Sequence, residues 1–181
     1  KNIRLYLTTG GSKIRLDSTT YCKAAYEGGE RRYIVKHDAW GKDAELRITA
    51  LASQHEETAL WSFYCTGFKD DVLMEARVCQ VAKTKMSREG DLGLEPRSSY
   101  EPSTDEKDLQ TISWDANGYS YLWLLDNKKL VVPYTDDGTK RMVRELKDLH
   151  ELPSAVEFTT PNPFINTLGA NLVAAADGLW D

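Results

Sequence analysis

The sequence predicts an α+β fold of mainly antiparallel strands, either a sandwich or a strongly curved sheet, with one or two helices near the C-terminus. Apolar residues recur at every second position through much of the N-terminal half, which is the period of half-buried strands. Short segments rich in glycine, asparagine and aspartate separate these stretches and are typical of turns. Near the C-terminus the apolar period lengthens to that of a helix. The 181 residues suffice for one core, so we expect a single domain over 1–181.

The stretch Trp61–Val81 is the centre of the predicted sheet. Apolar residues alternate through WSFYC and again through VLMEARVCQV, as they do in strands that bury one face. The polar residues Lys69 and Asp70 between them favour a turn. We therefore expect a hairpin in which Cys65 lies opposite Met74.

Further strands are predicted before this stretch. Glycine pairs favour tight hairpins, so we expect Ile3–Leu16 to turn at Gly10-Gly11, and Thr20–Tyr26 to pair with Arg31–Lys36 around Gly28-Gly29. A strand from Ala44 to Ala52 follows the loop that carries Trp40, and the first eighty or so residues are therefore predicted to form an antiparallel meander.

The segment 83–108 interrupts the pattern, since it has two prolines, many charges and few large apolar residues. It is predicted to be a long polar surface loop or insert, and a binding loop is the alternative. After it, Asn117-Gly118 favours a hairpin between the strands on either side. A further hairpin around Asp126-Asn127 would place Trp123 opposite Leu130.

The C-terminal part is predicted to be helical, with a short strand in between. One apolar stripe predicts a helix over Thr139–Leu152, formed by Met142, Val143, Leu146, Leu149 and Leu152. A short strand is expected at Ala155–Thr159. Asn162 and Pro163 then favour a helix start, although a strand over Phe164–Leu168 before a helix is the rival interpretation.

Composition excludes some classes of function. The net charge of −5 and the absence of a basic stripe argue against nucleic-acid binding. No apolar run is long enough to span a membrane. The chain starts at Lys1 without methionine, so we expect a processed or trimmed protein, and removal of a signal peptide stays open.

Whether the three cysteines are free thiols or form a disulfide depends on the cellular compartment of the protein. Two alternatives stand equal: three buried thiols, or one disulfide of Cys22 with Cys65 or Cys79 in an oxidising compartment. The predicted hairpin sets Cys65 and Cys79 too far apart to pair with each other. The localisation expected is periplasmic or secreted, but cytoplasmic if all three cysteines are free thiols.

Residues that could carry catalysis are sparse. His55 adjoins Glu56 and Glu57 but lacks the second histidine of a zinc-binding helix motif. No phosphate-binding loop, nucleophile elbow or metal-ligand spacing occurs, so we expect no cofactor and no metal, and we favour a protein that is not an enzyme. A hydrolase using His55 or His37 with a carboxylate is an alternative.

Aromatic residues form the candidate partner-binding set, which comprises Trp40, Trp114, Tyr119, Tyr121 and Trp123. Alternation puts Tyr119, Tyr121 and Trp123 on one face of a strand. Such residues usually pack in a core or across strands. If the face is open, however, tyrosine and tryptophan favour a platform for a protein partner or a carbohydrate.

The C-terminal third resembles a known type of protein in the order of its elements. The stretches YSYLWLLDNKKLVVPY, RMVRELKDL, SAVEFTT and PFINTLGANLVAAADGLW are similar to the end of the bacterial invasion-associated locus B family and of TagO-like accessory proteins of type VI secretion. WSFYC resembles their first strand from tryptophan to cysteine. The chain departs from them in the insert at 83–108 and in lacking a second cysteine pair. The resemblance implies an exported bacterial β-sandwich that acts by contact.

These observations lead to one functional hypothesis and two alternatives. The hypothesis is a non-catalytic, exported interaction protein of the bacterial envelope or a secretion pathway, with a protein partner. The first alternative is an immunity or inhibitor protein whose acidic loop, Glu89 to Asp108, blocks a toxin. The hydrolase is the second. The oligomeric state is not predicted by the sequence.

Overall fold

The computed structural model describes residues 2–79, 108–126, 129–151, 159–166 and 168–177. Its strands form two antiparallel sheets, which confirms the predicted α+β fold of mainly antiparallel strands. The four-stranded sheet has the order β2-β1-β7-β8 and the six-stranded sheet the order β10-β9-β6-β5-β4-β3. The strands are β1 Asn2–Thr9, β2 Ser12–Arg15, β3 Tyr21–Glu27, β4 Glu30–Lys36, β5 Glu45–Ala52, β6 Thr58–Thr66, β7 Leu73–Cys79, β8 Asp108–Asp115, β9 Tyr119–Leu125 and β10 Lys129–Val131.

The two N-terminal hairpins form as predicted. β1 pairs with β2, and β3 pairs with β4 in a register that sets Cys22 opposite Val35. Gly28 and Gly29 both have positive φ, 56° and 85°, in the left-handed region that glycine adopts without a steric penalty. Local turn chemistry is therefore sufficient to specify these two hairpins.

The predicted hairpin within Trp61–Val81 is wrong. β6 pairs with β5 and β9 in the six-stranded sheet, whereas β7 pairs with β1 and β8 in the four-stranded sheet. The chain crosses from one sheet to the other after Gly67, whose φ is 72°. Cys65 and Met74 are both buried in the core that the two sheets share. Their strands, β6 and β7, contribute these side chains from opposite sheets and do not pair with each other.

Two further pairings differ from the sequence prediction. The Asn117-Gly118 turn joins β8 to β9, but these strands lie in different sheets. In the next hairpin Trp123 lies opposite Val131, and Leu130 lies opposite Leu124. The prediction was one residue out of register, and such a slip exchanges the faces of every side chain. The real register buries Leu130 in the core.

The main core lies between the two sheets. Its largest fully buried side chains include Phe63, Leu46 and Leu122 from the six-stranded sheet, with Leu7 and Met74 from the four-stranded sheet. Each buried leucine or phenylalanine contributes about 1.5–3 kcal/mol by leaving water. This core holds the strands in place and leaves the outer face of the six-stranded sheet available to other elements.

Helix α1, Thr135–His150, packs on that outer face. Its Met142 forms a second cluster with Leu51, Leu60 and Tyr121 of the sheet, and Leu146 packs against this cluster. The helix begins four residues before the predicted start. The predicted apolar stripe is partly wrong, since Val143 is exposed while Glu145 is buried, and Leu152 lies outside the described residues.

The C-terminal helices are α2, Pro163–Asn166, and α3, Leu168–Asp177. Asn162 Oδ1 accepts a hydrogen bond from Phe164 N at 3.0 Å, as an N-cap does, so the helical interpretation of this segment is confirmed. Nearly all of the predicted insert and of the strand at Ala155–Thr159 lies outside the described residues. None of the described helices has the length and apolar character needed to cross a membrane.

Candidate binding face on the six-stranded sheet

The outer face of the six-stranded sheet is divided into two halves. The helix α1 covers the half that contains Leu51, Leu60 and Tyr121. At its C-terminal end α1 reaches the β3–β4 turn, where His150 Nε2 lies 3.4 Å from Glu30 Oε2. The half away from α1, which we call the open face, carries polar and aromatic side chains.

A row of five residues crosses the open face. The registers of β3, β4, β5, β6 and β9 align Lys23, Ile34, Arg47, Tyr64 and Tyr119 directly opposite one another. With strands about 4.8 Å apart, the row spans about 19 Å. Residues opposite each other in an antiparallel sheet share a face, so the five side chains form one continuous strip.

The aromatic end of the row is a stacked tyrosine pair. The rings of Tyr64 and Tyr119 have centroids 4.4 Å apart and an interplanar angle of 29°. Tyr119 is 57 % exposed, so this ring contacts solvent while Tyr64 supports it. The pair presents a large, rigid amphipathic surface with few rotatable bonds.

Charged side chains occupy the middle of the open face. Arg47 Nε lies 2.6 Å from Glu45 Oε1, and Lys36 Nζ lies 3.1 Å from Glu45 Oε2. The hydrogen bond from Arg47, and then that from Lys36, lower the pKa of Glu45. The carboxylate thus stays ionised at neutral pH and holds the exposed Arg47 guanidinium in a defined position beside the tyrosine pair.

Most residues of the predicted aromatic set lie away from the open face. Trp40 and Trp114 are 4 % and 8 % exposed, and the indole N–H of Trp114 donates to Ser120 Oγ at 3.0 Å. Tyr121 and Trp123 lie under α1, where the Arg141 guanidinium is 4.6 Å from the Trp123 ring centroid. These four residues pack within the protein, the alternative that the sequence also allowed, and only Tyr119 of the set is on the open face.

Sequence reasoning missed Arg47, Glu45, Lys36 and Tyr64 as site residues. The alternation of β5 and β6 places Arg47 and Tyr64 on outward faces, and that signal was available. It does not reveal that β9 pairs with β6, which is what brings Tyr119 beside Tyr64.

The histidines lie in structural contacts. His55 Nε2 is 2.9 Å from Asp148 Oδ2, which joins the β5–β6 loop to α1. The nearby Ser53 hydroxyl bonds to the buried carboxylate of Glu145 at 2.9 Å, while His37 Nδ1 accepts from the backbone N–H of Ala39. Among the described residues, no three His, Cys, Asp or Glu side chains are grouped to hold a metal ion.

The structure does not form the candidate disulfide. Cys22 and Cys65 are free and stand at the ends of a row through Val35 and Leu46. Three strand spacings separate them by about 14 Å, twice the roughly 7 Å that a disulfide tolerates. Cys79 is fully buried in the other sheet, whereas Cys22 is exposed. Burial raises the pKa of Cys65 to about 12.

Comparison with other proteins places the chain in a family. Neither the curated proteins nor the solved structures contain a match. The family model described as a domain of unknown function, DUF4450, matches residues 1–157. The match includes both sheets and α1 but ends before α2 and α3. Because it covers most of the sequence, the chain belongs to the DUF4450 family.

Proposed function

We propose that this chain is a non-catalytic interaction protein and that a protein partner binds its open face. The observation that carries the proposal is the row from Lys23 to Tyr119, with its exposed tyrosine stack beside an exposed arginine. Tyrosine and arginine are the residue types that most often dominate the binding energy of protein interfaces, together with tryptophan.

The open face is organised before any partner arrives. Tyr64 supports Tyr119, and Glu45 holds Arg47 from one side. Ordering a long side chain on binding costs about 0.5–1.5 kcal/mol, and a side chain that is already held loses less. This preorganisation favours recognition of a folded surface by contact, without any chemical step.

The partner that fits offers hydrogen-bond acceptors and an apolar ridge. Lys23, Lys36 and Arg47 supply donors, whereas Glu45 is the acidic member and is already paired with two cations. The surplus of positive charge among these four side chains favours carboxylates on the partner.

The proposed compartment is the bacterial envelope or a secretion pathway. The resemblance of the C-terminal third and of WSFYC to exported families supports export, whereas the free thiols of Cys22 and Cys65 support the cytoplasmic alternative. Cell fractionation with antibody detection separates the two: recovery from the periplasm or medium supports export, and recovery with cytosolic markers contradicts it.

The experiment that tests the open face combines capture with substitution. The tagged chain captures its partner from native lysate, and the purified partner is then titrated against Tyr119→Ala and Arg47→Ala. We expect each substitution to weaken binding about tenfold or more, equivalent to about 1.4 kcal/mol. Tyr134→Ala is the matched control, because this tyrosine is also highly exposed but precedes α1. The affinity of this variant for the partner should stay within about twofold of that of the unchanged chain.

A partner that binds all three variants as tightly as the unchanged chain would contradict the proposal. The immunity alternative has a separate outcome, since a toxin would then bind through the acidic segment from Glu89, which lies almost entirely outside the described residues. The hydrolase alternative is favoured only if His55→Ala abolishes a measured hydrolytic activity while the fold is retained.

A further inference from the structure

Helix α1 borders the open face and forms a wall along one side of it. Arg141, Glu145 and Asp148 lie on one stripe of this helix, because they are four and three residues apart. The side chains of all three contact the loop between β5 and β6. That loop is at the opposite end of these strands from Arg47 and Tyr64, so the other flank of α1 faces the open face.

The flank of α1 that faces the open face carries an exposed apolar side chain. The residues of this flank recur at the spacing of one helical stripe, and they are Thr139, Val143, Leu146 and His150. The hydroxyl of Thr139 lies 2.8 Å from that of Tyr121, which belongs to the row of the sheet next to the open face. Val143 is 62 % exposed. We call the corner between α1 and the sheet the ledge, with Val143 in its wall and the open face as its floor.

The floor of the ledge is positively charged, although the whole chain has a net charge of −5. The registers of β3, β4 and β5 place four cations on it, which are Lys23, Arg32, Lys36 and Arg47. Among the described residues of these rows, Glu45 is the one carboxylate. Glu30 lies 3.4 Å from Arg32 but is buried beside the end of α1. The charge of the floor therefore complements an acidic ligand.

Arg47 is able to bind a second carboxylate in addition to Glu45. A guanidinium has five N–H donors, and Glu45 accepts from the Nε of Arg47. Because the side chain of Arg47 is 61 % exposed, its terminal N–H groups are accessible to a ligand. Arginine binds a planar carboxylate through two such groups at once. Ile34 and Tyr64 lie directly opposite Arg47 on the neighbouring strands, so this charge is next to apolar surface.

We propose that an acidic polypeptide segment with apolar side chains lies in the ledge, along α1. This inference rests on the proposed binding of a protein partner to the open face, and it names the chemistry of the part that binds. The row along the floor is about 19 Å long, which matches roughly six residues of an extended segment. Carboxylates of the segment pair with the cations of the floor, while its apolar side chains contact Val143 and Ile34. An acidic polysaccharide has the carboxylates but lacks the apolar side chains.

The first test uses a fluorescein-labelled random copolymer of glutamate and tyrosine as the probe, with the whole chain as the receptor. Fluorescence anisotropy should show saturable binding at about 20 mM salt that weakens as salt is added, because exposed charges are screened. Arg47→Glu should weaken binding about tenfold or more, and Val143→Asp about fivefold. Lys140→Glu is the matched control, because it makes the same change of charge on the exposed side of α1, and it should weaken binding less than about threefold.

Two results of this titration would overturn the inference. One is the absence of saturable binding at concentrations of the chain up to about 0.5 mM. The other is an equal loss of affinity in Arg47→Glu and Lys140→Glu, both with native circular dichroism spectra, because the copolymer would then respond to net charge and not to the ledge.

The second test compares two sources of carboxylates. Polygalacturonate presents them on a sugar backbone, and we expect it to bind at least about threefold more weakly than the copolymer, per carboxylate, because it leaves Val143 uncovered. Equal or tighter binding of polygalacturonate would overturn the inference in favour of an acidic polysaccharide.

Failure of this inference is distinguishable from failure of the proposed function. A captured partner that loses affinity in Tyr119→Ala, together with a copolymer that does not bind, would show that the partner uses the open face without an acidic segment. A captured partner that binds Tyr119→Ala and Arg47→Ala as tightly as the unchanged chain contradicts the proposed function, and the inference with it.

Discussion

Tyr119 and Tyr121 lie two residues apart on β9 and on the same side of the sheet, but they occupy different environments. Tyr121 is 4 % exposed beneath α1, with its hydroxyl 2.8 Å from Thr139 Oγ1. Tyr119 is mostly exposed and stacks on Tyr64. Alternation along a strand therefore fixes the face of the sheet on which a side chain lies, but it does not fix the role of that side chain. The role depends on whether another element covers that part of the face, and here α1 covers one half.

The inner face of the six-stranded sheet contains the same contrast, in the reactivity of two of its cysteines. Cys22 is exposed at one end of its row, whereas Cys65 is buried at the other and has a raised pKa of about 12. Because only the thiolate reacts, iodoacetamide at pH 8 should modify Cys22 at least about a hundredfold faster than Cys65. Peptide mass spectrometry of timed samples measures both rates, and denaturant supplies the control in which the difference disappears. Equal rates in the folded protein would contradict the placement of β3 and β6.

Replacing the two tyrosines in parallel tests the covered and open halves directly. Tyr121→Ala removes a buried ring and should lower the free energy of unfolding by about 3–5 kcal/mol. Tyr119→Ala removes an exposed ring and should cost about 1 kcal/mol or less. Urea denaturation measures both variants, and similar midpoints for the two would show that α1 does not cover the sheet as described.

The contact of α1 with the sheet depends on a residue that lacks a side chain. A Cβ at Gly138 would overlap the ring of Tyr121, so Gly138→Ala should destabilise by about 1–3 kcal/mol although alanine is the better helix former. Lys140→Ala on the exposed side of α1 is the control and should change the midpoint little. In the Tyr121→Ala background the cost of Gly138→Ala should shrink, because the ring is removed, but it should not vanish, because the Cβ of residue 121 would still lie 2.9 Å from the added Cβ. An undiminished cost there would assign the strain elsewhere.

The smallest effect concerns the charges of the open face. Because the pKa of Glu45 is lowered in the folded state from its ordinary 4.5, its stabilisation is present above about pH 4.5 and is lost as the pH falls through the lower folded value. Glu45→Gln should therefore cost on the order of half a kcal/mol at pH 7 and progressively less as the pH is lowered below about 4.5. Urea denaturation at pH 7 and at several lower pH values measures the difference, and a cost that is independent of pH would argue against the ion pairs of Glu45.

Local signals predicted the parts of the fold that neighbouring residues decide. The Gly10-Gly11 and Gly28-Gly29 turns led to the right hairpins, and β3–β4 has the expected register. The prediction failed for β6–β7 and β8–β9, which are adjacent in sequence but lie in different sheets. A turn motif specifies that the chain reverses, but it does not specify whether the next strand pairs beside the last or crosses to the facing sheet.

The candidate site likewise has one part that local sequence signals predicted and another part that depends on which strands pair. Tyr119 was among the residues proposed from the sequence, because its aromatic character and its face are local properties. The rest of the row lies on β3 to β6, which follow one another in the chain, but Tyr119 joins it only because β9 pairs with β6. That pairing connects residues far apart in the chain.

The sequence by itself determined which side chains of each strand share a face and which turns reverse the chain, because the period of two and the dihedral freedom of glycine act over a few residues. Only the tertiary structure decided that α1 buries Tyr121 and leaves Tyr119 and Arg47 exposed. The reason is physical: the favourable free energy comes from removing the apolar surface of Leu51, Leu60 and Met142 from water, and these residues meet only when strands and helix from distant parts of the chain pack together.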